Sequence, residues 1–181
     1  MNKSAPTREK QSTQAEVSKQ VPVLGRMQYV PGFLVRRLSK QFVMTWDSVF
    51  ARFDIQITPV QAGILVLIDE NPGISQAEVA HILDVEGPTL VKSISKLLEA
   101  GLITKKERPS DRRSYSLHLS QNTKPALQEI EVRLKRHDDK VLAALSEKER
   151  KVFIALLQRI LASNMPSEAW GLDHLDSNIP T

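Results

Sequence analysis

The 181-residue chain contains no cysteine. This excludes disulfide bonds, thiol nucleophiles, thiolate metal sites and cysteine-based redox sensing. No apolar run approaches the roughly 20 residues that a membrane span needs, and the polar stretch 1–20 lacks the apolar segment of a secretion signal. With 41% hydrophobic and 25% charged residues, the chain is expected to fold in water, without a membrane partner, and to stay in the cytoplasm.

The sequence motifs of common enzymes are also missing. There is no glycine-rich phosphate loop, no H-E-x-x-H and no G-x-S-x-G. We therefore expect a protein that is not an enzyme and that has no catalytic residues, no resident metal and no cofactor. The histidines His81, His118, His137 and His174 match no known ligand spacing, although the carboxylates beside His137 and His174 leave a metal-responsive protein as an alternative.

Glycine and proline are absent from residues 33–58 and 126–165, which predicts long helices there. Three further helix starts have the capping-box pattern, in which a Ser or Thr is followed three residues later by Glu or Gln. These pairs are Thr58 with Gln61, Ser75 with Glu78, and Ser146 with Glu149. A fourth helix opens near Glu86, and Gly101 is expected to end it with a left-handed cap. The polar trio 137–139 is expected to break the apolar stripe of the helix that contains it.

The hydrophobic period changes after Gly101. Residues 102–108 and 114–120 are predicted to be two strands, with Tyr115, Leu117 and Leu119 on one face and a basic loop, 109–113, between them. The element order is then four helices, a β-hairpin and two helices. This order predicts a mainly α fold with a small β-hairpin wing, that is, a winged helix-turn-helix with a helical dimerisation region.

The chain is accordingly divided into five segments. Residues 1–28 are predicted to be a flexible basic arm, 29–56 a first dimerisation helix, and 57–120 the winged helix-turn-helix. Residues 121–164 are predicted to be C-terminal dimerisation helices, and 165–181 an irregular tail.

In a winged helix-turn-helix, the second helix of the motif enters the major groove of DNA and the hairpin reaches the backbone or the minor groove. If Leu90, Ile94, Leu97 and Leu98 face the core, helical geometry places the two lysines of the helix on the opposite face. Residues 92–113 contain seven basic and three acidic residues, a local charge of +4 that equals the formal net charge of the whole chain. The alternative interpretation of the hairpin tip, 109–113, is a basic loop that contacts only solvent. The candidate DNA-binding residues are Pro88, Thr89, Lys92, Ser95, Lys96, Arg108, Asp111, Arg112 and Arg113.

Three segments together resemble the MarR family of bacterial transcriptional regulators: Ile57-Thr58-Pro59-Val60-Gln61, the block from Ser75 to Gly101, and Asp111-Arg112-Arg113-Ser114. The resemblance spans about residues 30–163 in element order. It implies an obligate homodimer that represses a promoter until a small ligand releases it, with Arg113 in the minor groove and Asp111 orienting it. The chain lacks the glycine that the family usually has shortly after the second wing strand.

The residues themselves also favour a dimer. The first and last helices have broad apolar faces. The winged helix-turn-helix, with three helices and a hairpin, is too small to cover these faces. The predicted partners are therefore double-stranded DNA and a second copy of the chain. Two-fold symmetry predicts a pseudo-palindromic site with half-sites about 34 Å apart.

Residues 17–46 contain no acid but several basic residues, and aromatic side chains flank those on the first helix. This pattern suits a ligand with an aromatic ring and a carboxylate or phosphate. The opening 31–38 resembles the MarR subgroup that regulates aromatic-acid catabolism, which implies an aromatic acid or its CoA thioester as effector. The alternatives are that these aromatic residues are dimer core, or that the regulator acts through protein contacts without an effector. The candidate effector-binding residues are Phe33, Arg36, Arg37, Lys40 and Trp46.

Overall fold

The computed structural model describes residues 23–50, 56–108 and 111–164. Most of the proposed arm and all of the proposed tail lie outside these residues, as do the side chains of 108, 111–114 and 164. The chain divides after Arg36 into two compact units. In the described part of the first unit, a short 3-10 helix, Gly25–Tyr29, precedes the start of the first α-helix.

The element order confirms the predicted four helices, hairpin and two helices. The elements are α1 (Pro31–Phe50), α2 (Pro59–Glu70), α3 (Gln76–Leu83), α4 (Gly87–Glu99), β1 (Ile103–Arg108), β2 (Asp111–Leu119), α5 (Thr123–Val141) and α6 (Glu147–Asn164). No helix among the described residues is long and apolar enough to cross a membrane.

The predicted capping boxes are present. The Thr58 amide donates to Gln61 Oε1 over 3.0 Å, while the Gln61 amide donates to Thr58 Oγ1 over 3.3 Å. Ser75 and Glu78 repeat this exchange at the start of α3, with distances of 2.6 and 3.2 Å. Because each cap satisfies backbone donors that have no partner in the helix, it contributes about 1 kcal/mol.

The core lies in the second unit, around α2. This helix packs against α3, α4, α5 and the second strand, so that its own Ile64 and Leu65 are fully buried. The remaining larger side chains that are almost completely buried come from α2 itself, from every neighbouring element of the winged domain and from α5. They are Ile68, Val79, Leu90, Ile94, Leu97, Ile103, Leu117, Thr123 and Ile130.

A short backbone ladder attaches the hairpin to the core. The Gly73 amide donates to the carbonyl of Leu117, and the Leu117 amide donates to the carbonyl of Ile74, both over 2.9 Å. Gly73 has a φ of +93°, which favours glycine. Gly101 has a φ of +67°, which confirms the predicted left-handed cap between α4 and the hairpin.

The second strand begins earlier than predicted. It starts at Asp111, whose backbone pairs with Arg108 after an irregularity in register between Glu107 and Arg108. Cross-strand pairing therefore extends into the segment that was expected to be a basic loop, and only residues 109–110 separate the strands.

The polar trio 137–139 does not end the helix that contains it. Helix α5 runs continuously to Val141. His137 is only 3% exposed, and its Nε2 lies 2.8 Å from the carbonyl oxygen of Phe42 and 3.0 Å from Thr45 Oγ1. The helix keeps a polar residue on its inner face because α1 supplies polar partners for it.

Candidate nucleic-acid interface

Helix α4 is held by its apolar side. Leu90, Ile94 and Leu97 are each about 1% exposed, and Leu98 is half-buried at the edge of the predicted inward face. Ser93 is also buried, and its Oγ donates to the carbonyl of Thr89 over 2.8 Å. The opposite side of the helix is therefore fixed in direction by the core. The residues predicted on it that are exposed are Pro88, Thr89, Lys92, Ser95, Lys96 and Glu99.

The two lysines of α4 stand one turn apart. Lys92 and Lys96 are both exposed, and neither forms an ion pair with any acidic residue that the structure describes. Their charges are thus not neutralised within this part of the chain. This arrangement suits contacts to two phosphates along one strand of a duplex.

The hairpin adds further positive charge. Lys105 and Lys106 in β1 are exposed, and Lys105 Nζ lies 5.7 Å from the centre of the Tyr115 ring. Leu117 is buried, as predicted, whereas Tyr115 is 46% exposed. The apolar face of β2 therefore does not extend as far toward the hairpin tip as its alternation predicts.

Four of the candidate DNA-binding residues lie near the tip. The backbone of Arg108 lies in β1, and those of Asp111, Arg112 and Arg113 lie in β2. Their side chains are outside the described part of the structure. The roles assigned to them from the sequence therefore remain predictions.

The candidate effector residues are distributed along α1. In the first unit, Arg36 Cζ lies 5.8 Å from the centre of the Phe33 ring, within range of a cation–π contact. In the second unit, Arg37 and Lys40 are exposed. Trp46 is buried at 6% exposure.

Trp46 fixes the end of α1 to the start of the winged domain. Its ring stacks on Phe50 with a centroid separation of 4.0 Å, and its Nε1 donates to the carbonyl of Ile57 over 2.8 Å. A cavity of about 480 Å³ lies beside it, and its other lining residues include Thr58 and Lys96. Arg37 and Lys40 are not among the described lining residues, so this cavity does not join them to Trp46.

The histidines occupy different environments. His81 is exposed, His118 Nε2 lies 3.2 Å from Ser116 Oγ, and His137 is buried, while His174 lies outside the described residues. Within 23–50, 56–108 and 111–164, no group of three or more His, Cys, Asp or Glu residues could hold a metal ion.

One exposed residue of α4 was missed by the sequence reasoning. Val91 is 50% exposed, on a helix whose leucine and isoleucine residues are all buried or half-buried. Val91 lies 100° around the helix from the buried Leu90, and this spacing could have indicated that its side chain is exposed. Apolar residues in α4 were considered only as anchors to the core.

The model of the MarR family matches residues 55–114, which span the end of the α1–α2 connection, the helix-turn-helix and most of the wing. A relative from Thauera aromatica, named "Putative transcriptional regulatory protein for hcr operon", is 38% identical over 113 residues. The match covers 62% of this chain and 68% of that protein. The chain belongs to the MarR family. This MarR-family protein is thus a transcriptional regulator that binds DNA and is not an enzyme.

Solved structures of other regulators support the fold. The transcriptional repressor CouR bound to a 23-mer DNA duplex is 27% identical, with a TM-score of 0.71 over 78% of this chain and 99% of that one. The PcaV regulator of Streptomyces coelicolor, in complex with its natural ligand, is 26% identical, with a TM-score of 0.66 over 80% and 99% of the two chains. CouR bound to p-coumaroyl-CoA is 24% identical, with a TM-score of 0.66 over 77% and 96%. The MarR-family fold thus extends beyond the segment that the family model matches.

Proposed function

We propose that this protein is a homodimeric, cytoplasmic repressor that binds a pseudo-palindromic operator and is released by an aromatic acid or its CoA thioester. The observation that carries the proposal is the exposed pair Lys92 and Lys96 on a helix whose other side is anchored in the core. A rigid helix with an outward row of cations fits the major groove. CouR, a repressor with the same fold, is solved on a DNA duplex.

The hairpin is the proposed second contact. Lys105 and Lys106 extend the positive surface of α4 toward the tip. In the proposal Arg113 enters the minor groove, where the negative potential is concentrated, and Asp111 holds its guanidinium in position. Arg108 and Arg112 contact the adjacent backbone.

A second copy of the chain is the proposed cover for the apolar surface of α6. From Glu147 to Ser163 this helix buries no side chain fully. Four of its large apolar residues are 40–58% exposed, and in the same unit Val43 and Met44 of α1 are more exposed still. So many exposed large apolar side chains on two helices favour an interface with a second chain. The four residues of α6 are Ile154, Leu156, Ile160 and Leu161.

The effector assignment rests on charge and on the relatives. Arg37 and Lys40 are exposed cations on α1, and Arg36 lies near the ring of Phe33. An aromatic ring that carries a carboxylate or the phosphates of CoA has complementary groups. CouR is solved with p-coumaroyl-CoA and PcaV with its natural ligand. Phe33 and Trp46 are the proposed aromatic contacts in this chain.

The test is footprinting on the DNA beside the protein's own coding region, followed by titration of the bound complex with aromatic acids and their CoA thioesters. The proposal expects a symmetric footprint, a dimeric mass in solution, and release by at least one ligand of this class. Arg37→Ala and Lys40→Ala are expected to bind the operator while requiring more ligand for release. A complex that resists every aromatic acid and thioester contradicts the effector assignment, and a monomeric mass contradicts the repressor model as a whole.

A further inference from the structure

The exposed Val91 is not part of the core of the winged domain. Leu90, Ile94 and Leu97 already anchor α4 and are each about 1% exposed, whereas Val91 is 50% exposed. Valine is also a weaker helix former than alanine or leucine, because its branched Cβ restricts its rotamers. Neither core packing nor helix propensity accounts for an apolar, β-branched side chain at this position.

The outward face of α4 includes two adjacent stripes. Residues three or four apart lie above one another on a helix. Pro88, Val91 and Ser95 therefore form one stripe of apolar and small side chains, and all three are exposed. Lys92 and Lys96 form the next stripe, about 100° farther around the helix.

These stripes match different parts of a duplex. Lysine ammonium groups are attracted to the phosphate backbone, which is sequence-independent. With the cationic stripe toward one backbone, the neighbouring stripe is available to the base edges, where the sequence is read. In the major groove, the apolar group on these edges is the C5-methyl of thymine, and apolar side chains contact it.

We propose that Val91 packs against the C5-methyl of a thymine in each operator half-site and is thereby a specificity-determining residue. This inference rests on the proposed entry of α4 into the major groove. Val91 supplies sequence preference, while Lys92 and Lys96 supply affinity that does not depend on sequence. The apolar contact commits the half-site to thymine, or to another 5-methylated pyrimidine, at the position facing Val91.

The experiment compares thymine with deoxyuridine, which lacks only the C5-methyl group. A duplex selected by the wild-type protein from a random library is resynthesised with one symmetric pair of thymines at a time replaced by deoxyuridine. Dissociation constants are measured by fluorescence anisotropy. Since one buried methyl group changes affinity about fourfold, one symmetric replacement is expected to weaken binding by roughly tenfold or more.

Two variants separate the roles of the stripes. Val91→Ala is expected to bind the thymine and deoxyuridine duplexes equally at that position, and to keep the salt dependence of the wild type. Lys92→Ala is the matched control on the neighbouring stripe. It is expected to have weaker affinity and a shallower salt dependence, and to keep the full penalty for deoxyuridine.

Three results overturn the inference. They are a wild-type protein indifferent to every deoxyuridine replacement, a penalty that persists in Val91→Ala, and a selected duplex without a thymine in its half-sites. The first and third results overturn the inference even if Val91→Ala does not fold. Failure of the proposed function has a different signature, because the wild-type protein would then select no duplex with salt-dependent affinity.

Discussion

Thr123 Oγ1 donates a hydrogen bond of 2.6 Å to the carbonyl oxygen of Leu102, 21 residues earlier in the chain. The Ser120 amide donates to the same oxygen over 3.0 Å. This carbonyl at the start of the wing therefore accepts hydrogen bonds from the residue that follows β2 and from the first residue of α5. Thr123 is only 1% exposed. This buried junction connects the wing to α5 without the glycine that the MarR family usually has there.

Removal of the Thr123 hydroxyl is therefore expected to weaken this junction. Thr123→Val keeps the shape of the side chain but loses the donor, and should lower the free energy of unfolding by about 1 kcal/mol. Thr123→Ser loses the methyl group but keeps the hydroxyl, and is the control that retains the hydrogen bond. Urea denaturation at one fixed protein concentration measures both variants, because the stability of the proposed dimer would depend on concentration. Equal stability of Thr123→Val and wild type would exclude the hydroxyl as an anchor.

The turn between α3 and α4 contains a residue in the left-handed region. Asp84 has φ 47° and ψ 48°, a conformation that aspartate tolerates and β-branched residues do not. Asp84→Val should lose about 1–2 kcal/mol of stability. Asp84→Gly is the control, because glycine adopts the same backbone conformation without strain. The stability of this variant should be close to that of the wild type. A valine variant as stable as the glycine variant would contradict this conformation.

Two adjacent carboxylates on α5 are expected to respond to pH in opposite directions. Burial raises the pKa of Asp138 above its ordinary value, so its ionisation on raising the pH disfavours the folded state. Hydrogen bonding to Lys135, whose Nζ is 3.0 Å away, and the nearby Arg150 lower the pKa of Asp139. The stability contributed by Asp139 is therefore present at neutral pH and lost as the pH falls through its lowered pKa.

Removing the charge of each carboxylate is expected to change the stability in opposite directions. At pH 7, Asp138→Asn should be more stable than wild type and Asp139→Asn less stable. Both differences should shrink as the pH approaches the ordinary aspartate value of 3.8 and falls below it. Urea midpoints at a series of pH values measure this, with each variant serving as the control for the other. Shifts of the same sign would contradict the assignment of these two environments.

The wing contributes a separate prediction. Arg113→Ala should weaken operator binding, because the guanidinium is expected to enter the minor groove. Arg159→Ala, in α6, removes an equal charge outside the winged segment and should leave affinity close to wild type. Anisotropy titrations of one labelled operator compare the variants. Operator affinity of Arg113→Ala equal to that of wild type would remove the wing from the interface.

Features set by residues close together in the chain, such as helix caps and helix ends, could be predicted from the sequence. A capping box places donor and acceptor three residues apart, so that Thr58 and Gln61 could be paired without knowledge of the fold. Gly101 likewise marked a helix end through its own backbone conformation. The inward face of α4 followed from helical spacing, since Leu90 and Ile94 recur at the period of a helix.

Contacts between residues on different elements could not be predicted, because hydrophobic periodicity describes only one element at a time. His137 was expected only to interrupt the apolar stripe of its helix. Its burial could not be predicted, because its partners, Phe42 and Thr45, lie on another element more than 90 residues away. The position of Trp46 beside a cavity that also contains Lys96 depends on how α1 meets the winged domain. Val91 was overlooked because hydrophobic character alone does not distinguish an anchor from an exposed contact.

The most direct test of the DNA-binding account is the salt dependence of operator affinity in Lys92→Ala and Lys96→Ala, with Lys148→Ala of α6 as the control. The slope of log affinity against log salt concentration should fall by about 0.9 for each lost phosphate contact. The control should retain the wild-type slope. Wild-type slopes in both α4 variants would contradict the account, because α4 would then not contact the phosphates of the major groove.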